Sequence, residues 1–259
     1  MSASFVALAL LFAPAPPTVA TDAPDQTNGT FTVAPGAWQA ELGLDATLPG
    51  SGAVERQVSL HLPTTLRVGL SHRVELRLFD GEPLWRVDPN DRVGGDTAFG
   101  FKIRFNDLHE GSRRPSFGIQ PYVSFPTLRV LHDLESAALG TVLLWTQPVT
   151  RWLVFDANLG LELGIDRGAM PLWTFAAISA QITASHRWIP YAEIYADVPW
   201  QRADTLELGC DAGLVVVATR RLAFDVAGRA TLLAPGPDYG IIAGLAVLLA
   251  DGRRWRHRR

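Results

Sequence analysis

Twelve stretches of the chain alternate apolar and polar residues, and four of the links between them carry nearly the same short turn: Ser71-His72-Arg73, Thr150-Arg151, Ser185-His186-Arg187 and Thr219-Arg220. Strict alternation over about ten residues gives a strand with two chemically different faces. From Ala37 to Leu48 the apolar set is Trp38, Ala40, Leu42, Leu44, Ala46 and Leu48, with Gln39, Glu41, Gly43, Asp45 and Thr47 between them. The same parity runs from Val58 to Leu78 through a turn at residues 71–73, which is a hairpin keeping one apolar face. Further strands are expected at 97–106, 116–126, 137–147, 151–163, 171–184, 188–198, 205–218, 221–232 and 239–249.

An even count of antiparallel strands brings both ends of a closed barrel to one rim. The four recurring turns are the second, sixth, eighth and tenth links, so they share a rim. The longer link from Asn106 to Pro115 is the exception there, and the long Asp80–Gly95 and Pro126–Ser136 segments belong to the other rim. Short turns at one rim and long loops at the other are the pattern of outer-membrane barrels. Charged residues make up only 19% of the chain, against about 25% in soluble globular proteins. The expected fold is therefore all-β, a transmembrane antiparallel up-and-down β-barrel of about 12 strands. A soluble β-sandwich also alternates, but its strands are usually too short to cross a bilayer.

Residues 5–13 form a short apolar run, followed by prolines and by Thr18-Val19-Ala20, which reads as a signal peptide over 1–20. Residues 21–35 have no periodicity and are expected to be a flexible lead-in, 36–250 the barrel and 251–259 a basic tail read as a solvated extension. The net charge of -3 gives no case for nucleic acid. Export and a membrane barrel together point to the outer membrane of a diderm bacterium, with membrane lipid and a small-molecule solute as partners. Trp38, Trp145, Trp152, Trp173, Trp188 and Trp200 lie near strand ends and suit interfacial girdles.

With the apolar face toward lipid, the alternate residues line the lumen. Arg67, Arg77, Lys102 and Arg104 form a basic wall on the second to fourth strands. Asp156, Glu162, Glu193, Asp197, Glu207 and Asp211 form an acidic wall on the seventh, ninth and tenth. Two readings stand: opposed walls set a field that orients a dipolar solute, or the charges pair and fill the interior. Glu75 interrupts the basic wall, and Asp225 and Arg229 share a face.

Enzyme chemistry is not expected. The histidines lack metal-ligand spacing, no Gly-x-Ser-x-Gly elbow is present, and no cofactor is implied. His61 beside Ser59 is the best catalytic pair the sequence offers, and Cys210 reads as a lipid-facing filler. Trp85, in the Asp80–Gly95 loop, is the outer contact candidate for a structural or adhesion barrel.

The run Leu62-Pro63-Thr64-Thr65-Leu66-Arg67-Val68-Gly69-Leu70-Ser71-His72-Arg73-Val74-Glu75-Leu76-Arg77-Leu78 resembles a hairpin of the outer-membrane barrels assigned to a MetA pathway of phenol degradation. The resemblance continues through Gly95-Asp96, Gly100 to Phe105, Pro121 to Pro126, Asn158-Leu159-Gly160 and Tyr191 to Tyr195. Val68 stands where that family often has tyrosine, and the basic tail departs from the aromatic end common in outer-membrane barrels. The resemblance implies an outer-membrane channel or transporter for small, aromatic or apolar solutes, and it brings no catalytic residues.

Overall fold

The computed structural model describes residues 19, 21–22, 27–48, 58–81, 84–86, 96–107, 113–126, 137–165, 172–200, 206–233 and 239–252. The strands are β1 (Ala37–Leu48), β2 (Ser59–His61), β3 (Thr64–Gly69), β4 (Val74–Gly81), β5 (Leu84–Arg86), β6 (Asp96–Arg104) and β7 (Ser116–Pro126), then β8 (Ala137–Pro148), β9 (Leu153–Ile165), β10 (Leu172–Ile182), β11 (Trp188–Pro199), β12 (Glu207–Thr219), β13 (Leu222–Leu233) and β14 (Tyr239–Asp251). Each barrel strand pairs antiparallel with its sequence neighbour, and β14 pairs back onto β1 from Ala37↔Asp251 to Leu48↔Tyr239. The result is a closed antiparallel barrel of 12 strands.

Fourteen strand segments make twelve barrel strands because the second and third are each interrupted. β1 pairs with β3 through Trp38–Leu42 and with β2 through Asp45–Thr47, so β2 and β3 are two halves of one strand. The break falls at Leu62-Pro63, since proline has no N–H for the ladder, while its carbonyl accepts from the Gly43 N–H at 2.7 Å. β5 pairs with β2 and prolongs the strand begun by β4.

Alternation sorts the side chains as expected. Leu42, Leu143, Leu159, Ile178, Ile194, Phe224 and Ile241 point outward and are 45–60% exposed, while their neighbours in sequence are buried or half-buried within the barrel. An apolar exterior around a charged interior inverts a soluble protein and needs lipid as its solvent. The strands β6 to β14 run 9 to 13 residues, long enough to cross a bilayer when tilted. Cys210 lies in register with Ile194 on the outward side.

The recurring turns have one physical cause. The Ser71 hydroxyl accepts from the N–H of Arg73 and Val74 at 3.2 and 3.0 Å, and the Ser185 hydroxyl does the same for Arg187 and Trp188 at 3.1 and 3.3 Å. Thr150 and Thr219 serve Trp152 and Arg221 at 3.2 and 3.1 Å. A hydroxyl that caps its own turn lets a barrel reverse direction without a long loop. These turns, both chain ends of the barrel and residues 105–107 and 113–115 form one rim, the turn rim.

Trp38, Trp152, Trp188 and Trp200 are 45–59% exposed near strand ends, as a girdle requires. Trp173 does not join them: it shares parity with the buried Ala177 and Ser179 and so faces inward. Of the leader expected over 1–20, only Val19 lies among the described residues. The basic tail beyond residue 252 and the side chain of Trp85 lie outside them, although the Trp85 backbone pairs with Leu60.

The outward face sets a prediction. Ile178→Arg, at mid-span on β10, should destabilise the barrel by about 2–4 kcal/mol in vesicles, read by urea unfolding. Thr183→Arg, just past the strand end, should cost much less.

Candidate functional site: a charged lumen and the segment that enters it

Residues 27–36 have no regular structure, in keeping with their lack of periodicity, yet they lie inside the barrel. The Gly36 N–H bonds the Gly69 carbonyl at 2.7 Å at the turn rim, and Gly36 takes a positive φ of 74° to swing the chain from the lumen into β1. A side chain at Gly69 would strike the Ala34 carbonyl oxygen at 2.1 Å, so this exit needs glycine. The segment bonds the barrel at nearly every step. The Val33 N–H bonds Glu75 at 2.7 Å, the Thr30 N–H bonds the Thr146 hydroxyl at 2.9 Å, and the Thr27 N–H bonds Glu193 at 2.7 Å. Asn28 and Asn158 bond reciprocally, at 2.6 and 2.8 Å. Val19 and Val33 pack against inward-facing Ala223, Ala227, Ile242, Ala246 and Leu248 on β13 and β14.

Asp22 sits at the centre of the basic wall. Its Oδ2 lies 2.5 Å from Lys102 Nζ, 3.0 Å from an Arg77 nitrogen and 3.2 Å from an Arg67 nitrogen. Burial alone would push this carboxyl up, but Arg67, Lys102 and Arg77 hold it well below the usual carboxylate range, so it stays ionised through mild acid. Arg67 and Lys102 are fully buried. Arg67 grips Glu75 with two nitrogens at 2.7 and 2.9 Å and reaches Glu41 at 2.8 Å. Lys102 also donates to the Gly29 carbonyl at 2.9 Å, and Arg77 to Gln120 at 2.6 Å.

The expected basic residues do not all meet. Arg67, Arg77 and Lys102 come together in the lumen, whereas Arg104 turns to the rim, where it donates to the His72 carbonyl at 2.6 Å. On the acidic side, Glu193, Asp211 and Asp156 are buried, while Asp197 and Glu207 are exposed toward the other rim. Asp156 accepts from Thr146 and, at 3.2 Å, from Gln181. Glu162 accepts from the Tyr122 hydroxyl at 2.5 Å. Asp45 pairs with Arg229, whose guanidinium lies 5.5 Å from the Tyr195 ring centre. Asp211 is Glu193's cross-strand partner. Among the described residues, no group of His, Cys, Asp and Glu could hold a metal. His61 is half-buried on β2, and the Ser59 side chain lies outside the described residues.

Beyond the segment, the lumen is lined by rings that lie over glycines. Tyr122, Phe175 and Tyr195 stand opposite Gly140, Gly160 and Gly209 on the next strand. A Cβ at Gly140 or Gly209 would come within 2.0 or 2.2 Å of the tyrosine ring, so each ring lies flat on bare backbone. Phe79 meets Tyr122 edge-on at 5.5 Å.

The family described as "Putative MetA-pathway of phenol degradation" matches residues 21–206. The chain belongs to that family. Its match begins at Thr21 and so includes Asp22. Among curated proteins, no sequence matches the chain. An outer membrane channel from Pseudomonas putida F1 has a similar structure, with a TM-score of 0.62 at 9% identity, over 88% of this chain and 99% of that one. The NanC porin is also similar, with a TM-score of 0.57 at 5% identity, over 80% of this chain and 98% of that one. At such identities the likeness is one of fold: the barrel is of the outer-membrane type.

Asp22, Glu41, Glu75, Tyr122 and Tyr195 complete the site and were not among the sequence candidates. Glu41 and Glu75 carried a signal, since both share lumen parity with Arg67. Asp22 carried none, because its segment has no period.

Arg67→Met would strand Glu41, Glu75 and Asp22 as buried, undercompensated carboxylates, and should cost about 3–5 kcal/mol in guanidinium unfolding. Arg73→Met, whose pair with Asp107 is open to solvent, should leave the unfolding midpoint unchanged.

Proposed function

We propose that the protein is an outer-membrane channel for small aromatic solutes, and that Asp22 and residues 27–36 fill its lumen in a resting state. One observation carries this reading: the interior is a charged and aromatic surface divided by strand, and what occupies it is an irregular segment rather than packed side chains. A barrel built only as a membrane support could fill its lumen with its own inward residues. Here Arg67, Arg77 and Lys102 line one side, Glu193 and Asp211 another, and small apolar residues of β13 and β14 a third. The rings of Phe79, Tyr122, Phe175 and Tyr195 supply flat faces of the kind an aromatic solute stacks on. The family's description, which names phenol degradation, supports the same solute class. The fold shared with an outer membrane channel and with a porin supports passage of small molecules rather than catalysis.

Toward the rim opposite the turns the lining is acidic, with Glu162, Asp197, Glu207 and Asp211 against Arg229, so small cations enter more readily than anions. The filled lumen favours a second reading, a non-conducting structural or adhesion barrel acting through its outer loops. Planar-bilayer recording of the refolded mature protein separates the two. The channel reading expects brief, small, cation-preferring openings from the wild type and a several-fold larger steady conductance when residues 21–34 are deleted. Asp197→Asn with Glu207→Gln should lower the cation preference of the deleted form. A deletion variant that inserts and shows the heat-dependent gel mobility of a folded barrel, yet never conducts, would sink the channel and leave the structural role.

A further inference from the structure

We propose that Arg67, Arg77 and Lys102 form a binding site for a small carboxylate solute bearing a hydroxyl or ammonium donor, and that Asp22 holds the place of that solute's carboxylate. The proposal rests on the channel reading, since the solute must reach the lumen, and it goes beyond it in naming the chemistry that the lumen recognises.

Charge is the first ground. The three cations face two strand carboxylates, Glu41 and Glu75, and are buried with them. In direct contact, the strands therefore set two carboxylates against three cations, in a place where unpaired charge is costly. Asp156, the next carboxylate on that side, bonds the neutral Thr146 and Gln181 and makes no ion pair with the three cations among the described residues, so it acts on Lys102 only at longer range. Asp22 supplies the missing charge, with one oxygen within 3.2 Å of nitrogens from all three cations. That is the coordination a guest carboxylate would take, with its second oxygen free to complete a fork with either arginine.

The occupant's attachment is the second ground. No described residue of the segment before Ala37 lies in a strand, so the barrel ladder closes without Asp22. Asp22 is held by the three cations and by its own N–H, which donates to Glu41 at 3.4 Å, and those contacts are what a guest could take over.

The opposite wall completes the specification. Where the segment passes Glu193 and Asn158 it presents donors: the N–H and hydroxyl of Thr27 to Glu193, and the N–H of Asn28 to Asn158. Asp211, in register with Glu193, adds a second acceptor carboxylate there. The internal occupant thus offers a carboxylate to one wall and N–H or O–H groups to the other. A hydroxylated aromatic acid carries both, benzoate only the first and phenol only the second.

The test is calorimetric titration of the mature protein in detergent with 4-hydroxybenzoate, benzoate and phenol, for the wild type, Asp22→Ala and Asp22→Ala with Lys102→Met. Removing the internal competitor should tighten 4-hydroxybenzoate by at least about tenfold, since a site blocked most of the time binds in proportion to the fraction open. Benzoate should gain less, phenol should not gain, and the added Lys102→Met should abolish the gain. Equal affinity in wild type and Asp22→Ala, or a gain for phenol as large as for the acid, overturns the proposal. Where Asp22→Ala does not assemble, Asp22→Asn replaces it, and bilayer recording of the wild type gives a second reading. There 4-hydroxybenzoate should raise the open fraction and phenol should not; no response to the acid overturns the site. The two failures stay apart: acid binding without conductance in any variant keeps the site and sinks the channel, and conductance indifferent to carboxylates keeps the channel and sinks the site.

Discussion

One carboxylate shared among three buried cations organises the interior. Arg67, Arg77 and Lys102 come from adjacent strands of the barrel, β3, β4 and β6, and alternation sends all three inward. Like charges at such separations repel strongly where water is scarce. Glu75 and Glu41 relieve part of that from neighbouring strands, and Asp22 relieves the rest from outside the sheet. The consequences reach well beyond the cluster. With Asp22 fixed, residues 27–36 lie in the lumen on the way to β1, and Glu193, Asn158, Thr146 and Glu75 become their hydrogen-bond partners.

The basic and acidic walls therefore do not face each other across an empty pore. Most of the charge on the basic side is cancelled locally, and the acidic side receives neutral donors from the same segment. The charges are segregated by strand, and those of the basic side are paired, by Glu41 and Glu75 from the strands and by Asp22 from the segment between the walls.

How much of this could be read from the chain alone follows from what each signal depends on. Strands were legible because period two is imposed by lipid on one side and a polar interior on the other, residue by residue. The turn rim was legible because Ser71, Thr150, Ser185 and Thr219 do a local job that needs only their own neighbours. The break at Leu62-Pro63 was hidden because parity continues across it. Trp173 read as a girdle residue because nearness to a strand end fixes depth but not face. Arg104 has the right parity for the lumen, yet two residues closer to the rim along β6 a backbone carbonyl outcompetes the cluster. Asp22 was the hardest, since its position depends on three cations 45, 55 and 80 positions away in sequence.

The segment's own backbone accounts for why it can be both irregular and firmly held. Non-helical chain at membrane depth survives only where protein or enclosed water satisfies its polar groups. Here the N–H groups of Thr27, Asn28, Thr30 and Val33 go to barrel side chains, and the carbonyls of Gly29 and Phe31 go to Lys102 and Arg67. Four of these six bonds are charge-assisted, through Glu193, Glu75, Lys102 and Arg67, and hold more strongly than the two to Asn158 and Thr146. In all six, however, the segment's own group is a neutral N–H or carbonyl, which is replaceable by water. The contact of Asp22 is not, because water cannot supply a negative charge to a cluster left one short. The hold is thus divided in kind: hydrogen bonds fix the path of the segment, and a single ion cluster fixes whether it is there. Loosening the former shifts the chain within a filled lumen, while only the loss or replacement of the latter leaves the cations of β3, β4 and β6 in need of another anion.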